Sequence, residues 1–178
     1  MSTRSRIGII RSAEEKTVES IYCHFDGYPE GVGQTLLNHW TTAEWVEELI
    51  ALGDLSALGA QIGEDQGTDW FYKRQETLYA NGYDTDDPRS TWCLAYGRDR
   101  GEKDVGAITH SIDKWPGSGQ ECEYLFDPTT SEWRVRSTFG NPVGWNTVAD
   151  WPGWATIPEA IAAEIAAREA REKEEATG

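Results

Sequence analysis

The stretch Glu121-Cys122-Glu123-Tyr124-Leu125-Phe126-Asp127-Pro128-Thr129-Thr130-Ser131-Glu132-Trp133-Arg134-Val135-Arg136-Ser137-Thr138 decides the fold class. Residues 121–126 and 131–138 mix apolar and charged side chains at a period near two, and Asp127-Pro128-Thr129-Thr130 is a turn signal between them. Such a pattern predicts a β-hairpin. Pairing Tyr124 with Trp133 and Cys122 with Val135 places one apolar row on a core face. The same register sets Glu123 opposite Arg134 and Glu121 opposite Arg136 on the other face. A one-residue slip would drive arginine into the core row, whereas a two-residue slip keeps the faces and loses one charge pair.

Upstream, residues 5–10 and 17–25 read as a first hairpin around the polar stretch Arg11 to Lys16, with Val18, Ile21, Tyr22 and Phe25 in its second strand. Asp26-Gly27-Tyr28-Pro29 is a turn. A helix is expected from Gly31 or Val32 to about Trp40, with Val32, Leu36 and Leu37 inward. Thr41 and Glu44 match a capping box for a second helix starting at 42 or 43. Trp45, Val46, Leu49, Ile50 and Leu52 form its apolar face, Glu44, Glu47 and Glu48 its wet one, and Gly53 its left-handed C′ residue.

Residues 54–90 read as irregular acidic surface. Leu55 and Leu58 could dock a short helical turn, Trp70 to Tyr72 could hold some order, and Asn81-Gly82 and Asp86-Asp87-Pro88 are turns. A strand is expected over Thr91 to Tyr96 and a polar stretch over 97–104. After the breakers Gly140-Asn141-Pro142, a helix is expected with Pro158 at its first position, covering 159–175 and fraying beyond Arg171. Ala160, Ile161, Ile165 and Ala166 give it a thin apolar stripe. These elements predict an α+β fold: an antiparallel sheet of hairpins packed against two or three helices, as one domain over 1–157 with a C-terminal helix over 158–178.

The chain has 178 residues and 31 acidic against 16 basic side chains, a formal charge of −15. That excess argues against a primary role in gripping nucleic-acid phosphates or an anionic membrane. No apolar run suits a membrane span, and Ile7 to Ile10 is too short for a signal-peptide core, so a cytoplasmic location is expected. Cys23, Cys93 and Cys122 are an odd number without a C-x-x-C pair and are expected to be buried, reduced thiols. The nine tryptophans are expected mostly in the core, although such residues also build stacking platforms and interface anchors.

The segment from Ser20 to Gly33 concentrates the candidate chemistry: Cys23, His24 and Asp26, then a glycine-rich approach to a helix. Adjacent Cys23 and His24 point to opposite faces of a strand. His24 and Asp26 share a face and could form an imidazole–carboxylate pair, either structural or for acid–base work. Phosphate binding by the loop is opposed by Glu30 and by the missing Lys-Ser/Thr ending, so the glycines are better read as serving a tight turn. Tyr22, His24, Asp26, Tyr28 and Glu30 are the candidate ligand or interaction loop. His39 near a helix end and His110 in a loop with Asp113 complete the imidazoles; no spacing demands a metal, and no catalytic residue or cofactor is assigned.

A second candidate is the acidic exterior: Glu44, Glu47, Glu48, Asp54, Glu64, Asp65, Asp69, Asp84, Asp86 and Asp87. A charge of −15 equals that on about 25 Å of duplex DNA. Mimicry of DNA toward a basic groove and plain solubility are both consistent with it.

Arg6-Ile7-Gly8, the turn Tyr22-Cys23-His24-Phe25-Asp26-Gly27-Tyr28-Pro29 and Glu48-Leu49-Ile50-Ala51-Leu52-Gly53-Asp54 resemble a group of small phage- and prophage-encoded proteins, and Glu123-Tyr124-Leu125-Phe126 with Trp133 is similar to that group's second hairpin. The resemblance covers about the first 60 residues well and implies a phage or mobile-element accessory protein without assigning an activity to any residue. Two expectations follow. One is a non-enzymatic accessory protein that inhibits a host protein, one that itself binds nucleic acid being a natural target, as an anti-CRISPR-like or DNA-mimic anti-defence factor. The other is a small-ligand binder or hydrolase using the loop 22–33. Oligomeric state stays open.

Overall fold

A computed structural model of the chain describes residues 2–80, 82, 84–117 and 119–178. The elements in order are β1 (Ser5–Ser12), β2 (Thr17–Cys23), a π-helical turn (Pro29–Gly33) running into α1 (Gln34–His39), α2 (Ala43–Leu52), β3 (Leu55–Ala57), α3 (Trp70–Tyr79) and a 3-10 turn (Pro88–Thr91). Then come β4 (Leu94–Ala95), α4 (Tyr96–Arg100), β5 (Ile108–Ser111), β6 (Cys122–Asp127), β7 (Glu132–Ser137), β8 (Thr147–Val148), β9 (Trp151–Thr156) and α5 (Ile157–Thr177). The class is α+β, with five α-helices among the described residues.

The strands form one sheet in the order β4-β3-β2-β1-β6-β7-β9-β8, with β5 alongside β2. Most pairs are antiparallel, but the sheet is mixed rather than built of hairpins alone. The hairpins β1–β2 and β6–β7 join through a parallel pairing of β1 with β6, from Ser5 beside Cys122 to Ile9 beside Phe126. β2 also meets β3 in parallel, at Cys23 and Leu55. β1 lies centrally, and Ser5 to Ile10 are buried on both faces, as a continuous run Ile7-Gly8-Ile9-Ile10 suits.

One face carries Ile7, Ile9, Ile21, Tyr124, Phe126 and Val135 against Leu36, Val46, Leu49, Ile50 and Ile157 from the helices. The other holds a smaller cluster of Ile10, Val18, Leu125, Ile112, Trp115 and Trp154. Its polar members are tied in: Arg136 ion-pairs with Glu123 at 2.6 Å and lies over Trp154, and Arg134 lies over Trp151. Arg6 donates to the Ser20 hydroxyl and carbonyl at 3.0 Å each. The Ser20 hydroxyl gives its one proton to His110 Nε2 at 2.7 Å, and His110 Nδ1 donates to the Ser111 carbonyl at 2.8 Å. With His110 neutral, Nε2 is the acceptor in that chain. Burial pushes the His110 pKa down, with Arg6 and Arg136 adding to the effect against Ser111 and Glu123.

Several expectations change. The second hairpin keeps its predicted faces, but its register lies two residues away: Phe126 opposes Trp133, Tyr124 opposes Val135 and Glu123 opposes Arg136. The ring contact of Phe126 with Trp133 at 5.0 Å and the Asp127 carboxylate, which accepts from Thr129 N–H at 2.9 Å, favour this arrangement. Thr42 rather than Thr41 caps α2, accepting from Trp45 N–H at 3.3 Å, and Gly53 ends it at a φ of 83°. Trp45 lies outside the buried stripe of Val46, Leu49 and Ile50 and is exposed. Residues 54–90 are more ordered than expected: Leu55 belongs to β3 rather than a helical turn, and α3 begins at Trp70. Asn81 of the expected Asn81-Gly82 turn falls outside the described residues. The strand over 91–96 shrinks to Leu94–Ala95 because Tyr96 opens α4. His110 stands on β5, not in a loop. Pro158 takes the second position of α5, which Thr156 caps and which runs on to Thr177.

Gly8 makes the smaller cluster possible, since a Cβ there would lie 2.7 Å from Val18 Cγ1 and 2.9 Å from the Trp115 ring. Gly8→Ala should therefore destabilise the fold by about 1–3 kcal/mol. Gly106→Ala, whose added methyl meets nothing within 4 Å, should change stability little or raise it by up to about 1 kcal/mol; urea unfolding of both checks this. Because the folded state holds His110 with a lowered pKa, its contribution is complete above the ordinary value of 6.5 and is lost as the pH falls below it. Melting temperatures between pH 8 and 5 should show a shallower acid decline for His110→Gln than for the parent.

Candidate functional site

At the end of β2 the chain is fastened before it turns. His24 N–H donates to the Leu55 carbonyl at 3.0 Å and Phe25 N–H to the Ser56 carbonyl at 3.1 Å. Asp26 then takes a φ of 56°, a left-handed conformation that aspartate tolerates better than most residues. Its carbonyl accepts from Val32 N–H at 2.7 Å, Gly27 N–H donates to the Thr3 carbonyl at 2.8 Å, and the buried Tyr124 hydroxyl donates to the Gly27 carbonyl at 2.7 Å. A Cβ on Gly27 would sit 2.7 Å from that Thr3 carbonyl. The glycines thus allow close packing of the turn, as expected.

The turn at Asp26, not strand alternation, divides the five loop candidates. Asp26, Tyr28 and Glu30 line a cleft of about 210 Å³ between the turn, α1 and Ala57–Leu58. Tyr22 and His24 share a 2.8 Å hydrogen bond away from it, and the His24 ring stands edge-on to Phe25 at 4.6 Å. The expected His24–Asp26 pair does not form: His24 Nδ1 engages the Tyr22 hydroxyl instead. Glu30 also ion-pairs with Arg168 of α5 at 2.8 Å, tying the terminal helix to the turn.

Phe25 and Asp26 lead from this cleft into a larger one of about 840 Å³, walled by α3 and floored by Ser56–Gly59 and Leu94. Asn38 and His39 lead the other way into a third of about 440 Å³, beside Trp45 and Glu48. The floor is firmly held. Trp40 Nε1 donates to the Gly59 carbonyl at 3.0 Å, Cys93 N–H to the Gln61 carbonyl at 2.8 Å, and Arg98 to the Ile62 and Cys93 carbonyls at 2.9 Å each.

The groove gathers exposed aromatic surface. Phe25, Tyr28, Trp45, Tyr72 and Tyr79 are between 41 and 62% exposed, and all five line it. Contiguous exposed apolar surface of this kind marks interaction sites. Sequence reasoning singled out Tyr28 and missed the rest. The usable signal was the spacing of Trp70, Arg74 and Leu78, which gives α3 an inward stripe and leaves Tyr72, Glu76 and Tyr79 on a shared face.

The acidic candidates separate by role. Glu47 is bound by Arg11, Asp69 by Lys73 and Asp87 by Arg89, and each has its pKa lowered by that partner, Asp87 to about 2. Asp54 accepts from Tyr22 N–H at 2.8 Å, and its partial burial raises its pKa. Asp65 and Asp84 accept from backbone N–H groups of their own turns. Glu44, Glu64 and Asp86 are exposed, and Glu48 lines the groove beside Trp45. The imidazoles do not converge: His39 lines the groove and His110 is tied to Ser20 on the far side of the sheet.

No helix of the described residues is long and apolar enough to cross a membrane. Comparison of the chain with protein-family models, with curated proteins and with solved structures finds no match.

Cys23, Cys93 and Cys122 are free and buried. Burial pushes their thiols up to about 12, 11 and 12, so the nucleophilic thiolate is suppressed at neutral pH. Ellman's reagent at pH 8 should leave all three unreacted over minutes in the native protein and titrate three equivalents in denaturant.

Proposed function

We propose that this chain is a non-enzymatic accessory protein of the phage type that acts by binding a basic host protein across the aromatic groove and its acidic surroundings. The observation that carries this reading is the concentration of Phe25, Tyr28, Trp45, Tyr72 and Tyr79 along one groove. Aromatic anchors of this kind supply most of the energy of protein interfaces. The formal charge of −15 draws basic surfaces and repels nucleic acid. Host proteins that handle nucleic acid carry such surfaces, so occupying one would inhibit it, as a DNA-mimic or anti-CRISPR-like factor does. The thiols are held protonated in the core and the Ser20 hydroxyl that faces His110 is fully buried, which supports binding over nucleophilic chemistry by these groups.

A second reading, a small-ligand site in the largest cleft, is favoured by its volume of about 840 Å³, within the usual range for such sites. A photo-crosslinking amino acid separates the two. Placed at Gln75, in the wall of the large cleft, it should trap a discrete basic protein in bacterial lysate, with less product as salt rises. The same group at Glu172, exposed on α5, should not. Equal products from both positions, or none from Gln75, would overturn the binding reading.

A further inference from the structure

We propose that the groove receives an extended, arginine- or lysine-rich polypeptide segment, an inference that rests on the binding reading above and names the occupant. The three clefts adjoin through shared walls, the first two at Phe25 and Asp26 and the last two at Asn38 and His39. A run of adjoining clefts suits an extended chain better than a compact ligand.

Its chemistry repeats along its length. The large cleft pairs Tyr72 with Glu76, the middle one Tyr28 with Asp26, and the third Trp45 with Glu48. An aromatic face beside a carboxylate is the combination that receives a guanidinium or ammonium group, by cation–π attraction and by charge. The chain already uses its rings this way: Arg100 lies 4.8 Å from the Phe71 centroid and 5.9 Å from that of Tyr72, and Arg89 lies 5.1 Å from that of Trp70. Arg74, a cation in the wall of the large cleft, is turned toward the Ser90 carbonyl at 3.5 Å. An oligonucleotide would meet the carboxylates with its phosphates, so the charge pattern selects against it.

Fluorescence anisotropy with a labelled nonapeptide alternating arginine and serine tests the assignment on the whole 178-residue chain. The expected result is saturable binding that weakens as salt rises. Tyr72→Ala with Trp45→Ala, which leaves the net charge unchanged and truncates only exposed rings, should weaken it at least tenfold while the melting temperature holds. Asp26→Asn with Glu76→Gln should weaken it more than Glu172→Gln with Glu175→Gln, which removes the same charge from the exposed end of α5. Binding that ignores the aromatic variant and falls equally with both charge pairs reports bulk acidity and overturns the groove assignment. Failure of the peptide to bind, with a thymidine oligomer or maltohexaose binding instead, also overturns it. A peptide that fails while the Gln75 crosslink persists refutes the occupant and spares the binding reading; loss of the crosslink refutes the reading itself.

Discussion

The parallel contact of β1 with β6 makes one molecule out of two hairpins. Without it, the sheet would fall into two smaller pieces, β4-β3-β2-β1 with β5 and β6-β7-β9-β8, each with one flank of its central strand unpaired. With it, Ile7 and Ile9 join Tyr124 and Phe126 in a continuous apolar surface broad enough to seat α1, α2 and the start of α5. It also brings Gly8 beside Leu125 on the opposite face, where Trp115 closes over the sheet. The Tyr124 hydroxyl carries the same dependence to the groove, because it holds the Gly27 carbonyl.

Local chemistry was legible in the sequence and long-range pairing was not. The faces of the 121–138 hairpin could be read, since a slip of one would turn Arg134 and Arg136 into the larger apolar core in place of Trp133 and Val135. A slip of two exchanges one set of acceptable partners for another, and the Phe126–Trp133 contact that favours the observed register is a packing preference rather than a pattern. Nothing in residues 5–10 announces Cys122–Phe126 as a parallel neighbour, because the signal is a buried run that many partners would satisfy. β5 escaped notice for the opposite reason. Its four residues are mostly exposed, so they carry no alternation to detect.

The site divides in the same way. The turn after β2 was recognisable from Asp26-Gly27-Tyr28-Pro29, and three of its five candidates do line the groove. The rest of the groove is assembled from α2, α3 and the chain leaving β3, segments brought together only by the sheet. Lys73, Arg74 and Glu76 dilute the periodicity of α3, and Trp45 sits at the margin of an otherwise apolar helix face. These ambiguities hid the aromatic residues that the interface reading depends on.

The pairing of Ser5 with Cys122 has a consequence for biosynthesis. A nascent chain presents β1 to the cell long before its partner has left the ribosome, so one flank of that strand stays without backbone partners throughout most of translation. Open strand flanks of this kind recruit other chains.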